Sequence, residues 1–476
     1  MSYVLNEKIP HQKYFEDISK IPHGSKNEKE ISDYIVAFAK KLGLKVKQDE
    51  IGNVIIYKNG SIGYESHLPV ILQAHTDMVC EKNVDCDFDF SKDSLQLYIE
   101  DGYVKAKGTT LGADDGYGVA YMMAILEDTT LKHPPLECVF TVQEEIGLIG
   151  AQSLKAEDFK GTRFINLDNN NNLYTYVSCS GGLRFHFSKK MKMIDCDIPV
   201  YRLEVRGLFG GHSGGNIHLE MGNSNKIASR VLHYINKDFR ANLIKIDGGS
   251  KENAIPRECI VSFASKGEFD LIKKLVKEQE TKIKKELQFS DPNLTIDIFE
   301  DKSDKMCCEE ISNEIITMFY MLPNGPRHRN LALNVVSASQ NFGVIKTEDN
   351  IVKCTYSFRG ALESYNDEGE EILINFCTIF GFWWESGARY PAWEYSPNSP
   401  MRDILKKVYK DFYGREIMEK ATHGGLECGV FKKIIPNIDI VTIGPECFDA
   451  HTPVERMNID SFDKTYSLLV KYLENL

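Results

Sequence analysis

The stretch PVILQAHTDMVCE, residues 69–81, decides how the rest of the sequence is interpreted. Its first half is a short apolar run, which is typical of a strand buried on both faces. Its second half places a histidine and an aspartate, His75 and Asp77, directly after that run. Because ligands bind at the carboxyl ends of strands in open α/β sheets, we expect these two side chains to belong to a site.

Segments of similar character lie on both sides of this strand along the chain. The predicted strands are residues 53–59, 69–74, 136–143, 162–167 and 438–444, and the predicted helices are residues 25–42 and 117–128. Strands that alternate with helices predict an α/β layer architecture. At the start of the first helix, Ser25 and Glu28 have the spacing of a capping box.

The middle of the sequence follows a different order. Residues 200–265 run strand, helix, strand, strand, and a similar order recurs after residue 310. This pattern predicts two α+β units side by side in an inserted domain, residues 183–388. The α/β domain would then consist of residues 1–182 and 389–476.

Composition narrows the class of protein. The 476 residues exceed the length at which single cores stop growing, about 250–300 residues, so we expect more than one domain. A net charge of −12 argues against nucleic acid as a partner. No apolar stretch has the length of a signal peptide or of a membrane span, and none of the twelve cysteines forms C-x-x-C. These features predict a cytoplasmic protein with reduced thiols and no membrane partner.

Further acidic and histidine side chains follow the other predicted strands or open the helix at residues 117–128. They are Asp114, Asp115, Glu144, Glu145, Asp168 and His451. With His75 and Asp77 they would bring two histidines and six carboxylates to one edge of the sheet. So many carboxylates can share a site only if cations neutralise them. Imidazole and carboxylate ligands suit zinc, manganese or cobalt better than calcium, and a bridging carboxylate would let the set hold two ions.

Each of these motifs has a simpler interpretation when it is considered alone. The histidine–aspartate pair could be a polar pair at a strand end, and the two glutamates could be a solvated turn. The two adjacent aspartates could be a helix N-cap and its neighbour, and Asp168 could belong to a turn. Their common position at the carboxyl ends of strands favours the metal site.

Seven stretches resemble the zinc peptidases related to aminoacylase and carnosinase, and within them the aminoacyl-histidine (Xaa-His) dipeptidases. They are LQAHTDMVCEKN (72–83), GTTLGADDGYGVA (108–120), FTVQEEIGLIGA (140–151), GLFGGHSGGNIH (207–218), ENAIPRE (252–258), THGGLECG (422–429) and AHTPVERM (450–457). The resemblance spans nearly the whole chain. It implies a catalytic domain with a mixed sheet flanked by helices and an inserted α+β domain that serves as lid and dimerisation domain.

The resemblance also implies a metal centre. His75 and Asp168 would bind one zinc ion, Glu145 and His451 would bind the other, and Asp114 would bridge them. Manganese or cobalt could replace zinc. The peptide bond that follows Asp114 would be cis.

The remaining implied roles concern proton transfer and the substrate. Glu144 would act as general base towards a water shared by the two ions, and Asp77 would orient His75. The substrate-binding residues would be His212, Asn253 and Arg359 of the insert and Gly425 of the main domain. The implied protein is a homodimer in which His212 serves the active site of the other subunit.

The resemblance implies hydrolysis of small unblocked dipeptides, Xaa-His dipeptides among them. One departure bears on the substrate: four asparagines occupy residues 169–172, where the family often has Ser or Thr followed by acidic residues. Two alternatives stay open. A deacylase or carboxypeptidase of the same superfamily would usually carry a one-unit insert, and a catalytically inactive peptide-binding scaffold would lack a ligand or the base.

Overall fold

The computed structural model describes residues 3–476, and the chain divides into two compact units. The first unit extends to Cys179 and resumes over Trp393–Ala421 and Leu426–Leu476. The second unit consists of Ser180–Ala392 and the short segment Thr422–Gly425. The catalytic and lid roles expected for the two parts of the sequence stay predictions.

The described residues contain eleven α-helices and twenty-five strands. The helices are α1 (Pro10–Ser19), α2 (Lys29–Lys41), α3 (Ala113–Glu127), α4 (Ile149–Ser153), α5 (Ser224–Phe239), α6 (Phe269–Glu286), α7 (Glu309–Met321), α8 (Glu363–Phe380), α9 (Pro400–Tyr413), α10 (Glu427–Ile434) and α11 (Ile459–Glu474). The strands are β1 (Lys45–Gln48), β2 (Val54–Lys58), β3 (Val70–His75), β4 (Leu97–Glu100), β5 (Tyr103–Ala106), β6 (Leu136–Thr141), β7 (Arg163–Asn166), β8 (Tyr174–Cys179), β9 (Gly181–Lys190), β10 (Met193–Asp195), β11 (Val200–Arg206), β12 (Gly211–His212), β13 (Asn242–Gly248), β14 (Ala254–Ile255), β15 (Cys259–Ala264), β16 (Thr295–Asp301), β17 (Lys305–Cys307), β18 (Gly325–Asn330), β19 (Val335–Glu348), β20 (Ile351–Gly360), β21 (Trp383–Tyr390), β22 (Met418–Thr422), β23 (Asp439–Thr442), β24 (Cys447–Phe448) and β25 (Arg456–Asn458). No helix within residues 3–476 combines the length and the apolar character that a membrane crossing requires.

A six-stranded mixed sheet forms the centre of the first unit. Its strand order is β1-β2-β6-β3-β7-β23, in which β6, β3, β7 and β23 are parallel and β2 pairs antiparallel with both β1 and β6. Apolar side chains of the central strands pack into one core with those of α3, Tyr117 and Tyr121 among them. The predicted α/β class with a mixed sheet and packed helices is confirmed, and the parallel strands end at one edge.

The first predicted helix forms, but its predicted start is wrong. The helix α2 begins at Lys29, and no side chain caps it. The Ser25 hydroxyl instead donates to Asp77 Oδ2 over 2.7 Å, and Glu28 Oε1 accepts the Gln143 backbone N–H over 3.0 Å. An ionised carboxylate is a strong acceptor for the Ser25 hydroxyl, and Glu28 accepts a backbone N–H of a distant segment instead of one at the helix start, so both side chains make tertiary contacts.

An antiparallel sheet of nine strands forms the centre of the second unit. Eight strands follow the order β16-β11-β15-β13-β19-β20-β9-β21, and β18 pairs with β19. The two predicted α+β blocks meet where β13 pairs with β19, at Gly248 and Ile345. Helices α5, α6, α7 and α8 contribute apolar side chains to the main core of this unit. The two blocks therefore share one continuous sheet.

Candidate active site

The side chains predicted as metal ligands follow the parallel strands of the first unit. His75 is the last residue of β3, Glu144 and Glu145 follow β6, Asp168 follows β7, and His451 lies in the loop beyond β23. Because these strands run in the same direction, their carboxyl ends share one edge of the sheet. The chain thereby gathers residues that are far apart in sequence.

Three overlapping groups of these side chains bring ligand atoms within 4.8 Å of one another. The groups are His75, Asp114 and Asp168; His75, Glu144 and Glu145; and Asp114, Glu145 and His451. We refer to these six residues as the acidic cluster. All five predicted ligands and the predicted base belong to it, and their individual roles stay predictions.

Asp114 lies at the centre of the acidic cluster and faces both histidines. Its Oδ1 lies 3.5 Å from His75 Nε2, and its Oδ2 lies 3.5 Å from His451 Nε2. The same Nε2 atom of His451 is 2.8 Å from Glu145 Oε1. A carboxylate whose two oxygens face different imidazole nitrogens has the geometry of a bridge between two cations.

The neighbouring aspartate has a different function. Asp115 is fully buried, and its Oδ1 accepts the backbone N–H of Gly118 over 3.2 Å. Of the two acidic residues at the start of α3, only Asp114 therefore belongs to the acidic cluster, while Asp115 caps the helical turn. The peptide bond between them is cis, which confirms that prediction.

Asp77 contacts three members of the acidic cluster, one through its main-chain oxygen and two through its carboxylate. Its main-chain oxygen lies 2.9 Å from His75 Nδ1, whereas its Oδ1 is 3.6 Å away. Its carboxylate accepts the backbone N–H groups of Glu144 at 2.9 Å and Glu145 at 3.3 Å. In a neutral His75, a hydrogen bond from Nδ1 to the carbonyl leaves the lone pair on Nε2, the atom that faces Asp114.

Electrostatics in the acidic cluster are unbalanced towards negative charge. Burial, followed by the charge of Asp114, raises the pKa of Asp168 well above its usual range. Burial also raises the pKa of Glu144, against the lowering influence of His75. Burial lowers the pKa of His451, but Asp114 and Glu145 outweigh it and raise that pKa to about 11. Asp168 and Glu144 therefore lack enough positive partners within the protein.

The donor set fits divalent cations. Asp114 Oδ1 is buried and has no hydrogen-bond partner among the described residues. Imidazole nitrogens and carboxylate oxygens are the ligand types that zinc, manganese and cobalt accept together. A cation would satisfy the buried oxygen and offset the excess of negative charge.

Two residues that support Asp114 were missed by sequence reasoning. The buried carboxylate of Glu455 accepts the backbone N–H groups of Leu111, Gly112 and Ala113 at 2.7, 3.1 and 3.0 Å, which fixes the turn before Asp114. Glu455 lies in the stretch AHTPVERM, but no local pattern marks it as a partner of residues so distant in sequence.

The second missed residue belongs to the run of four asparagines. Asn170 Nδ2 donates to Asp114 Oδ2 over 3.1 Å, and Asn170 Oδ1 accepts the hydroxyl of Tyr117 over 3.2 Å. The run therefore contacts the acidic cluster, whereas the resemblance in sequence relates it to the substrate alone. Asparagine can donate to a carboxylate where an acidic residue would repel it.

In the second unit, His212 and Asn253 lie on neighbouring segments. The short strands β12 and β14 pair His212 with Ala254, and the Asn253 carbonyl accepts the Ser213 N–H over 2.8 Å. The Nδ1 atom of His212 accepts two backbone N–H groups, from Gly214 at 3.2 Å and from the next residue at 3.0 Å. A neutral His212 therefore carries its proton on Nε2, which makes that nitrogen a donor.

Arg359 lies beside the same hairpin within the second unit. A Cβ atom on Gly214 would be 3.2 Å from Arg359 Cζ and 3.0 Å from His212 Cε1. Arg359 Nη1 donates to the Tyr390 hydroxyl over 3.1 Å, and Arg359 Nε is buried without a hydrogen-bond partner among the described residues. The guanidinium thus retains donor capacity for an anion.

The segment Thr422–Gly425 packs with the second unit, although the predicted catalytic range 389–476 includes it. One set of contacts comes from the imidazole of His423, whose Nδ1 lies 2.8 Å from Ser180 Oγ and whose Nε2 lies 2.6 Å from Ser339 Oγ. Gly425, predicted as a main-domain residue, therefore belongs to the second unit. Its backbone lies so near Tyr390 that a Cβ would be 2.8 Å from the ring.

Comparison with known proteins gives matches over most of the chain. The sequence model of "Peptidase family M20/M25/M40" matches residues 71–475. The cytosol non-specific dipeptidase of Escherichia coli is 36% identical over 467 residues, which are 97% of this chain and 96% of the relative.

Solved structures give matches of two kinds. The aminoacylhistidine dipeptidase of Vibrio alginolyticus has a TM-score of 0.90 and 34% identity, covering 99% of this chain and 98% of the other. Human carnosine dipeptidase 1 has a TM-score of 0.52 and 11% identity, covering 98% and 97% of the two chains. The second likeness concerns the fold alone.

Proposed function

The chain belongs to peptidase family M20/M25/M40 and is a hydrolase of peptide bonds, and we propose that it is a dinuclear metallo-dipeptidase. The proposed substrates are small dipeptides with free termini, including Xaa-His dipeptides. Two relatives, 36% and 34% identical to this chain, are dipeptidases by name. The name of one relative indicates a broad range of dipeptide substrates, and the name of the other indicates aminoacyl-histidine substrates. We therefore include both Xaa-His dipeptides and other dipeptides among the proposed substrates.

One observation carries the dinuclear centre. The two oxygens of Asp114 face the Nε2 atoms of His75 and His451, each at 3.5 Å. We assign His75 and Asp168 to one cation, Glu145 and His451 to the other, and Asp114 to both. The proposed ions are two zinc ions, with manganese and cobalt as alternatives. When bound, such ions supply Lewis acidity that lowers the pKa of a water and polarises the peptide carbonyl.

Glu144 is the proposed proton carrier. It is adjacent to Glu145, and the backbone N–H groups of both residues are held by the carboxylate of Asp77. These two hydrogen bonds fix the backbone from which both side chains extend. Glu145 can then bind a cation while Glu144 accepts a proton from the attacking water. Glu144 would then deliver that proton to the leaving amine as the C–N bond breaks.

Substrate recognition is assigned to four residues of the second unit. The N–H at His212 Nε2 would donate to the oxyanion that develops on the carbonyl. Arg359 would pair with the free carboxylate of the dipeptide, a contact that favours cleavage of short peptides over cleavage within long ones. Asn253 and Gly425 would complete the pocket around the substrate.

The proposal extends to the setting of the enzyme. We assign catalysis to residues 1–182 and 389–476, and lid and dimerisation roles to residues 183–388. The protein would act as a homodimer through that insert, with His212 completing the site of the other subunit. We further propose a cytoplasmic location, which agrees with the name of the relative from Escherichia coli.

A hydrolysis panel with measured metal content tests this function. The protein is stripped of metal, reloaded with zinc, manganese or cobalt, and assayed on beta-alanyl-histidine, other Xaa-His dipeptides, unrelated dipeptides, a tripeptide and an N-acetyl amino acid. We expect two ions per chain and hydrolysis of dipeptides only. Preference for the N-acetyl amino acid would indicate a deacylase, and metal binding without hydrolysis of any substrate would indicate a scaffold.

A further inference from the structure

His423 has no role in the reaction described so far. Its ring contacts two serine hydroxyls and its carbonyl contacts Arg359, all within the second unit. We propose that His423 is a positioning residue: its imidazole fixes the segment Thr422–Gly425 against β9 and β19 and so places the Arg359 guanidinium for the substrate carboxylate. This inference rests on the proposed function, in which Arg359 binds that carboxylate.

One of the two serines that hold the ring is a neighbour of Arg359 in the sheet, and the other lies just before a neighbouring strand. Ser339 of β19 is the direct cross-strand partner of Arg359 in β20, and Gly182 of β9 is its partner on the other side. Side chains of directly opposed residues project from the same face of a sheet. Ser339 therefore presents its hydroxyl next to Arg359, and Ser180 precedes the strand on the other side of it. The imidazole spans the hydroxyls at 2.6 and 2.8 Å.

A neutral imidazole satisfies both contacts. It has one N–H and one lone pair, and a serine hydroxyl can either donate or accept, so either tautomer of His423 pairs with both serines. Burial, followed by the positive charge of Arg359, lowers the pKa of His423 to about 3. The ring thus adds no charge beside the guanidinium that is to meet an anion.

The backbone of the same residue contacts Arg359. The His423 carbonyl lies 3.5 Å from Arg359 Nη1, and the Tyr390 hydroxyl accepts from that nitrogen over 3.1 Å. The Ser180 N–H also donates to the Gly424 carbonyl over 3.1 Å, which holds the segment at a second point. Loss of the imidazole would release one of the two anchors, and the carbonyl beside Arg359 would move with the segment.

The test compares two substrates that differ only at the carboxyl terminus. A dipeptide has the carboxylate that Arg359 would bind, and its C-terminal amide lacks the charge. We expect His423→Ala to raise the KM for the dipeptide about tenfold, the loss typical of one misplaced charged hydrogen bond, and to leave kcat/KM for the amide within about twofold. Metal content should not change.

Matched variants separate positioning from general damage. Ser339→Ala removes one hydroxyl and should raise the dipeptide KM in the same direction, whereas Ser339→Thr keeps the hydroxyl and should retain a low KM. His133→Ala removes a buried histidine of the first unit, whose Nδ1 contacts the Pro134 carbonyl, and should affect the two substrates alike. Added to Arg359→Ala, His423→Ala should cause no further loss on the dipeptide.

The outcomes are distinct. If His423→Ala reduces kcat/KM for dipeptide and amide equally, the ring has a general structural role and the inference is wrong. If His423→Ala does not fold, the two Ser339 variants decide the question by the same substrate ratio. If Arg359→Ala itself does not separate the substrates, the assigned role of Arg359 and this inference both fall, while hydrolysis of dipeptides by the unaltered enzyme would still support the proposed function.

Discussion

The acidic cluster of the first unit and the group around Arg359 in the second unit hold their functional side chains by different means. In the acidic cluster, charged side chains face one another, as Asp114 does with His75 and His451. In the second unit, neutral groups set the positions: backbone amides hold His212 Nδ1, and hydroxyls hold His423.

The difference follows from what each group would bind. Side chains that wait for cations need a surplus of negative charge, which only a bound cation can balance. Side chains that wait for a carboxylate or an oxyanion need donors that stay in place without a competing anion. Substitutions in the first unit should therefore change metal content or proton transfer, and those in the second should change KM or turnover with the metal retained.

The largest expected effect separates the two adjacent glutamates of the first unit. Glu144→Gln keeps the shape and removes the proton acceptor, so turnover should fall about 10²–10⁴-fold with metal content unchanged. Glu145→Gln should instead lower metal occupancy. Metal analysis together with kcat on both variants checks this pair, and the reverse pattern would exchange the two assignments.

His212→Ala tests whether the second unit acts without touching the metal. Removing one oxyanion donor should slow turnover about 10²–10³-fold while both ions stay bound. Turnover and metal content measured on the same preparation give the answer. Loss of metal in this variant would mean that the second unit also contributes to metal binding, contrary to the roles that we assign to the two units.

Mixing of subunits from two variants tests whether His212 acts at the active site of the other subunit. His212→Ala and Glu144→Gln should each turn over slowly alone, and a mixed dimer would have one site with both residues intact if His212 acts on the other subunit. At equal mixing, half the dimers are mixed and each has one working site, so activity should return towards about a quarter of the unaltered enzyme. Absence of recovery, with exchange confirmed independently, would place His212 at the site of its own subunit or outside catalysis.

The sequence predicts the acidic cluster better than it predicts the contacts that support the cluster. Parallel strands must end at a common edge, so the residues after β3, β6 and β7 lie close together irrespective of the conformation of the connecting loops. Ser25 shows the limit, because its spacing to Glu28 fits a capping box and yet its hydroxyl donates to Asp77. Local spacing cannot register an acceptor that lies fifty-two positions away.

The second unit shows a different limit. Its helices and strands can be predicted from the spacing of apolar residues, but the assignment of residues 422–425 to this unit cannot. In the segment Thr422–Gly425, which belongs to this unit, one imidazole contacts the hydroxyl of Ser180, just before β9, and that of Ser339 in β19. Such a contact depends on the register between β9, β19 and β20, which a single sequence does not reveal. His423 has no local pattern that would mark it.

Asp77→Asn should have an intermediate effect and separates orientation from ligation. The amide would turn an N–H group towards the backbone N–H of Glu144 or Glu145, where an acceptor is needed. Because residues that orient metal ligands typically contribute 10–100-fold, we expect metal affinity to fall by about that factor. Titration of the stripped protein with zinc measures it. An unchanged affinity would show that the main-chain oxygen of Asp77 alone holds His75.

The smallest expected effect comes from Ser25, which reaches the acidic cluster only through Asp77. Its hydroxyl provides one donor to Asp77 Oδ2, in addition to the two backbone N–H groups from residues 144 and 145. Loss of one hydrogen bond of about 1 kcal/mol predicts about a fivefold fall in metal affinity for Ser25→Ala, with helix α2 unaffected because Ser25 does not cap it. Ser25→Thr retains the hydroxyl and should bind metal as the unaltered protein does. Equal affinities for the Ala and Thr variants would remove Ser25 from the support of Asp77, whereas a loss of helix content in Ser25→Ala would restore the capping role that the contacts argue against.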